Sequence, residues 1–265
     1  GESLPLRNPI ASDLSVMRRG LLPGLLGAVA FNLKRQQTRV RLFELGRAFR
    51  VENGRITQPL LLAGVIFGNN YPEQWDKNNI SSDFYDVKND VEAILAAAGS
   101  STDVRWQPDV IPGLHPGQTA EVFVKNQRIG YISSVHPRVL QALDLPGPMG
   151  VFELEVEQIP PRGTAHYQPV SRFPSLRRDL AIVVDQDLPV QRVLDAAVAA
   201  AGEALTNLEL FDVYQGEGID LGKKSLALGL IFQVTSSTLT DEAVDSVINS
   251  VLSALREEFG GTLRE

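Results

Sequence analysis

The chain has 265 residues, enough for one large or two ordinary domains at roughly 100–200 residues each. With 43% hydrophobic and 22% charged residues it is a globular composition that excludes wholesale disorder, and the absence of cysteine excludes disulfides and thiolate–metal sites and fits a reducing cytoplasm. A net charge of −7 excludes a broadly basic nucleic-acid binder, because phosphate affinity comes largely from Lys and Arg.

The chain starts at Gly1 and its first methionine is Met17, so it reads as a piece of a longer protein, with no signal peptide visible. No apolar run approaches the 18 or so residues of a membrane span. The first part shows little periodicity. Leu14 to Asn32 reads as a helix broken near Pro23-Gly24. Val40 to Val51 and Leu60 to Phe67 read as strands, and Val87 to Ala98 as a helix with the stripe Val91, Ile94, Leu95 and Ala98. Val104 to Trp106, Ala120 to Val124, Ile129 to Val135 and Val151 to Val156 supply further strands. This is an α+β pattern with a largely antiparallel sheet.

Ile159-Pro-Pro-Arg-Gly-Thr-Ala-His-Tyr-Gln-Pro169 breaks all periodicity and marks a domain boundary. Beyond it, Leu180, Ile182 and Val184 alternate as a strand. Asp187-Leu-Pro189 opens a helix whose stripe is Val190, Val193, Leu194, Ala197, Val198 and Ala201, with Gly202 as its stop. Leu205 to Tyr214 is a second strand, Gly216-Glu-Gly218 and Gly222 form a hairpin loop, and Ser225 to Val234 is a third strand. Thr240 caps a second helix with the stripe Val244, Val247, Ile248, Val251, Leu252 and Leu255. Gly260-Gly261 ends it, and Thr262 to Arg264 supplies a short last strand. The order β-α-β-β-α-β is that of a ferredoxin-like sandwich, in which both helices cover one sheet face. In the third strand Leu226, Leu228, Leu230, Phe232 and Val234 point to the helices. Ser225, Ala227, Gly229, Ile231 and Gln233 leave a shallow floor on the other face, where a flat group can lie. The alternative is that this floor packs on a neighbouring domain, and composition alone favours it.

Charge bears on that choice. Up to about residue 165 the chain has 17 basic and 17 acidic residues; beyond it, 8 and 15. Any RNA contact by the second part is therefore local and shape-dependent. Arg177-Arg178-Asp179 and Lys223-Lys224 are its basic clusters, of a kind that is usually solvated surface. His115, His136 and His166 lack metal-ligand spacing and read as turn or surface residues. Gly216-Glu-Gly218 does not open a helix, so a phosphate loop is excluded, and no Gly-x-Ser-x-Gly elbow is present. Glu153 and Glu155 share a strand face and read as a solvated edge. No catalytic site emerges.

Five segments of the second part, Phe173-Pro-Ser-Leu-Arg-Arg-Asp-Leu-Ala-Ile, Phe211-Asp-Val-Tyr-Gln-Gly, Lys223-Lys-Ser-Leu-Ala, Thr238-Leu-Thr-Asp and Gly261-Thr-Leu-Arg, together resemble the ferredoxin-fold anticodon-binding domain that closes the β chain of bacterial phenylalanyl-tRNA synthetases. The first part is similar to the preceding region of that family through Arg7-Asn-Pro-Ile, Met17-Arg-Arg-Gly-Leu-Leu-Pro-Gly-Leu-Leu, Leu42-Phe-Glu-Leu-Gly-Arg-Ala-Phe, Phe84-Tyr-Asp-Val-Lys-Asn-Asp-Val-Glu, Leu114-His-Pro-Gly and Ile129-Gly-Tyr-Ile-Ser-Ser-Val-His-Pro. One departure is Val87-Lys-Asn-Asp, where leucine and glycine are expected.

The resemblance implies an α+β chain: a non-catalytic, class II synthetase-like antiparallel-sheet domain over 1–160, a linker over 161–172, and a ferredoxin-like β-α-β-β-α-β sandwich over 173–265. It implies no catalytic or metal-binding residue in this chain and no cofactor of its own, ATP and Mg2+ being used by the whole enzyme. Arg50 follows the segment that stands where a class II enzyme places its second motif, but no third-motif glycine-rich strand with its arginine precedes the linker. The implied partners are the catalytic α subunit, phenylalanine tRNA and a second αβ unit in an (αβ)2 assembly, with neither membrane nor DNA. In the family's anticodon domain Tyr214 would stack on the first anticodon base, with Asp212 and Ser225 hydrogen-bonding nearby and Ala181 on the floor. Arg172, Arg177, Arg178, Lys223 and Lys224 are candidate phosphate contacts. Two rivals remain: a regulatory module that binds a free amino acid, and a purely structural assembly domain.

Overall fold

The computed structural model describes residues 3–52, 54–100, 104–161, 167, 170–234 and 239–264. His166, Thr238 and most of the expected linker lie outside the described residues. The chain divides into two compact units, Gly1–Thr164 and Ala165–Glu265.

The first unit is built on a six-stranded antiparallel sheet. Its strands are β1 (Val40–Arg47), β4 (Leu60–Phe67), β5 (Val104–Pro108), β6 (Leu114–Val124), β7 (Gln127–Val135) and β8 (Met149–Glu155), in the order β1-β4-β8-β7-β6-β5; β2 (Arg50–Glu52) and β3 (Arg55–Thr57) form a separate hairpin. The inner strands read as unbroken apolar runs because both of their faces are covered. Leu61, Ala63 and Val65 of β4 pack under α1 (Leu22–Leu33), through Leu22, Leu25, Leu26 and Val29. On the reverse face Ile66, Phe152 and Leu154 pack under α2 (Phe84–Ala97), through Val87, Val91 and Leu95. Asp83 and Asp86 make a capping box that starts α2 three residues before the expected Val87. The expected long helix from Leu14 is corrected. Only a 3-10 turn spans Ser12–Leu14, and Pro23 stands in the first turn of α1, where its fixed φ and missing N–H do no harm. A short helix α3 (Pro137–Ala142), capped by His136 Nδ1 accepting from Arg138 N at 3.0 Å, was not anticipated.

In the second unit β9 (Leu176–Asp185), α4 (Val190–Ala201), β10 (Leu205–Tyr214), β11 (Lys223–Phe232), α5 (Asp241–Phe259) and β12 (Thr262–Leu263) follow in the expected β-α-β-β-α-β order. The antiparallel sheet runs β10-β11-β9-β12. Leu226, Leu228, Leu230 and Phe232 are fully buried with Ile182 and Val184 against Val193, Ala197, Val244, Val251 and Leu255. Burying each such large side chain contributes about 1.5–3 kcal/mol, which favours packing of the two helix stripes on this sheet face. Gly260 takes φ +64°, which lets its N–H close α5 on Arg256 O and Leu255 O. Among the described residues no helix is long and apolar enough to cross a membrane.

Candidate nucleic-acid interface

The helices cover one face of the second sheet, and among the described residues no helix covers the other. On β11 the outward residues are Lys223, Ser225, Ala227, Gly229 and Ile231. The register places Asp185, Val183, Ala181, Asp179 and Arg177 of β9 beside them. On the other side β10 does not simply alternate. Leu208 and Leu210 oppose the buried Leu230 and Leu228, and a bulge then leaves Phe211 as an extra residue before Asp212 opposes Ala227. Unbroken alternation from the inward Leu210 would send Asp212 and Tyr214 toward the helices. The bulge turns both to the open face.

Two adjacent cross-strand rows result. One runs Tyr214–Ser225–Val183–Thr262 and the other Asp212–Ala227–Ala181. The four residues expected to meet the anticodon, Tyr214, Asp212, Ser225 and Ala181, all stand on these rows. Ser225 is 4% exposed and lies in the floor; Asp212 is exposed and Tyr214 half-buried. Tyr214 is fixed from the loop side, where its hydroxyl donates to Glu217 O at 3.1 Å. A Cβ at Gly216 would stand 2.9 Å from the Tyr214 Oη, so a larger residue there would push the hydroxyl aside. Nothing local in the sequence marks Arg264. Its N–H donates to Ala181 O at 2.8 Å, extending the last strand, and its guanidinium lies 4.9 Å from the Tyr214 ring centroid. Only a pairing partner this distant in sequence reveals that contact; the short C-terminal strand was its one available sign.

The candidate phosphate contacts do not all share this face. Arg177 crosses it above Gly229, with Nε donating to Asp179 at 2.8 Å and Nη1 to Glu209 at 3.5 Å. Lys223 is outward and bound to Asp185 at 2.6 Å. Arg172 is exposed just ahead of β9. Arg178 opposes the inward Leu230 and pairs with Asp241 at the start of α5. Lys224 opposes Val184, is 8% exposed and donates from Nζ to Leu188 O at 2.6 Å. Burial lowers its pKa. The ammonium of Lys224 is spent inside the unit, which corrects the expectation for that residue: strand alternation sends neighbouring lysines to opposite faces. Asp179, Asp185, Glu209 and Asp212 keep the open face acidic around its few cations.

A second cluster of charge lies in the first unit, and here the expected solvated edge is corrected. Strand β8 is interior, and Glu153 is 7% exposed. Its Oε2 accepts from Leu21 N at 2.8 Å, with Leu22 N also bonded, and thereby caps α1, whose own N-cap residue supplies no side-chain bond. Desolvation pushes the Glu153 pKa up, opposed by the Leu21 N–H and by Arg50. Burial, and next to it Glu153, push the neighbouring Tyr131 hydroxyl up as well. Arg50 is engaged by Glu155 at 2.6 Å and by Glu153 at 3.8 Å, while Arg18 pairs with Glu44. His115 and His136 have ring centroids 6.5 Å apart. Among the described residues, no group of three or more His, Asp or Glu is placed to hold a metal ion.

Comparison with known proteins adds the family. Residues 1–156 match the phenylalanyl tRNA synthetase beta chain CLM domain, and residues 171–264 match the ferredoxin-fold anticodon binding domain. The phenylalanine–tRNA ligase beta subunit of Pseudomonas fluorescens Pf0-1 is 43% identical over 264 residues, covering 100% of this chain and 33% of that protein. Its counterpart in Methylococcus capsulatus is 44% identical over 98% of this chain and 33% of its own length. The chain thus spans about a third of the length of the curated relatives it matches. A solved pyrrolysyl tRNA synthetase from Desulfitobacterium hafniense aligns with TM-score 0.43 and 15% identity over 59% of this chain and 50% of that one, a likeness too low to carry an argument. The two family matches and the relatives agree along the whole sequence: the chain belongs to the phenylalanyl tRNA synthetase beta chain family.

Proposed function

We propose that this chain is the C-terminal part of the β subunit of a cytoplasmic phenylalanine–tRNA ligase. Its second unit holds the anticodon region of phenylalanine tRNA. Its first unit is a class II synthetase-like scaffold that packs on the catalytic α subunit, within an (αβ)2 assembly, and does not itself activate the amino acid.

One observation carries the tRNA reading: Tyr214, Ser225, Asp212 and Ala181 converge on two neighbouring rows of an open sheet face, with an aromatic ring beside a small-residue floor. Such a face reads an unpaired base by stacking, worth about 1–3 kcal/mol per base, and needs no net positive charge. That reconciles RNA binding with the acidity of the unit. Arg172, Arg177, Lys223 and Arg264 are the cations on or beside this face, and Arg177 and Lys223 meet phosphate only by exchanging exposed carboxylate partners for it.

The scaffold reading is supported by the state of Arg50. A nucleotide phosphate arriving there would meet Glu153 and Glu155 around a guanidinium already engaged. These residues do not fit ATP, and ATP and Mg2+ are used by the whole enzyme elsewhere. The chain alone therefore gives no phenylalanine-dependent ATP–pyrophosphate exchange; exchange by preparations free of contaminating synthetase would overturn this. Separate titrations with phenylalanine tRNA and with free phenylalanine test the second unit. The reading requires binding of the tRNA. Binding of the amino acid alone would favour a regulatory module.

A further inference from the structure

Tyr214 is not the only aromatic ring on β10 with a guanidinium laid over it. Phe211 is the extra residue of the bulge and is 53% exposed. The Arg177 guanidinium, which crosses the open face above Gly229, lies 5.4 Å from its ring centroid. Arg177 is held there by Asp179 and Glu209, which also stand on the open face. The two pairs, Phe211 with Arg177 and Tyr214 with Arg264, have the same chemistry. They sit three residues apart on one edge strand, at most about 10 Å along the backbone at 3.3 Å per residue. No further strand pairs beyond β10 among the described residues, so a single strand of RNA can run alongside it.

A half-exposed phenylalanine needs a physical reason, and the bulge makes the reason specific. One backbone irregularity both turns Tyr214 outward and sets Phe211 beside the outward Arg177. A strand without it would bring one aromatic to this face instead of two. Phenyl rings stack on any base, and an arginine beside the ring adds a cation–π contribution and a phosphate partner.

We propose that Phe211, with Arg177, is a second base-stacking position, taking an unpaired base next to the one on Tyr214. This rests on the anticodon-binding reading of the open face. The specificity of the pair is geometric: two neighbouring flat groups must be splayed from the RNA at once, which a loop permits and a duplex does not.

The test uses the complete synthetase and anticodon stem-loops carrying 2-aminopurine at one anticodon position at a time, with fluorescence quenching as the sign of stacking. Quenching is expected at two adjacent positions. Tyr214→Leu relieves one of them and Phe211→Leu the other. Phe211→Leu also weakens binding about 5- to 150-fold, the range for one lost stacked base. Phe211→Trp restores both quenching and affinity, which a general loss of structure would not allow. If Phe211→Leu changes no probe while Tyr214→Leu still relieves its own, Phe211 is no base site and only this inference fails. If both variants act on the same single position, Phe211 merely supports Tyr214 and the proposal is again wrong. If no position responds to Tyr214→Leu, the open face is not the anticodon site and both readings fall together.

Discussion

Removing the Glu153 carboxylate tests how the first unit is held together. The side chain is 7% exposed and accepts from Leu21 N at the start of α1, and the nearby Arg50 remains bound to Glu155. Glu153→Ala removes a helix cap, a loss of typically about 1 kcal/mol. Equivalently, it leaves buried N–H groups without an acceptor, at about 1–3 kcal/mol. These are two descriptions of the same lost hydrogen bonds, so the expected cost is about 1–3 kcal/mol. Glu153→Gln keeps an acceptor oxygen and loses the buried charge, so it costs far less. The two variants also differ in pH dependence. Glu153 has a raised pKa, so near its ordinary range the folded unit binds more protons than the unfolded chain. Stability contributed by this group therefore falls as pH rises from the ordinary glutamate range through the raised value. Glu153→Gln removes that fall. Both tryptophans, Trp75 and Trp106, are in the first unit, and Trp106 packs against its core. Tryptophan fluorescence during urea unfolding at several pH values thus follows this unit alone. Parallel pH curves for the wild type and Glu153→Gln, or a loss under about 0.5 kcal/mol for Glu153→Ala, within the spread of ordinary surface substitutions, would refute the reasoning.

Two further expectations concern the open face. Gly216→Ala displaces the Tyr214 hydroxyl, since the added Cβ meets Tyr214 Oη at 2.9 Å; affinity for phenylalanine tRNA falls. The reasoning fails if affinity is retained. Salt dependence should be shallow. With Arg172, Arg177, Lys223 and Arg264 as the available cations, the slope of log K against log salt for the isolated chain is no steeper than about −3, at roughly −0.7 per phosphate of a single strand. A steeper slope measured by filter binding would place the main RNA contact on another surface.

The parts of the fold that sequence displayed are those governed by one element at a time. The stripes of α4 and α5, the stop at Gly260 and the inward leucines of β11 each follow from local periodicity. Tyr214, Asp212, Ser225 and Ala181 came from family resemblance, since alternation along β10 alone would have sent Tyr214 inward. A bulge carries no pattern that a reader of the sequence can count, and here it decides which side chains reach the open face. Lys223 and Lys224 look equivalent as a basic pair, yet strand geometry gives one to solvent and the other to Leu188 O. Glu153 looked like a surface acid because its partner, Leu21, is 132 residues away. Arg264 was unreadable for a related reason: only sheet pairing brings β12 beside Ala181 and lays its guanidinium on Tyr214.

In the proposed function the Tyr214 ring on the open face holds the anticodon. This is tested most directly by reconstituting the synthetase with its α subunit and the rest of the β chain, then comparing wild type with Tyr214→Ala in aminoacylation of phenylalanine tRNA at limiting tRNA. Loss of one stacked base, about 1–3 kcal/mol, predicts a fall of roughly 5- to 150-fold in kcat/KM for tRNA, with amino-acid activation unchanged. Equal aminoacylation by the two enzymes would contradict the account and leave the second unit as a structural assembly domain.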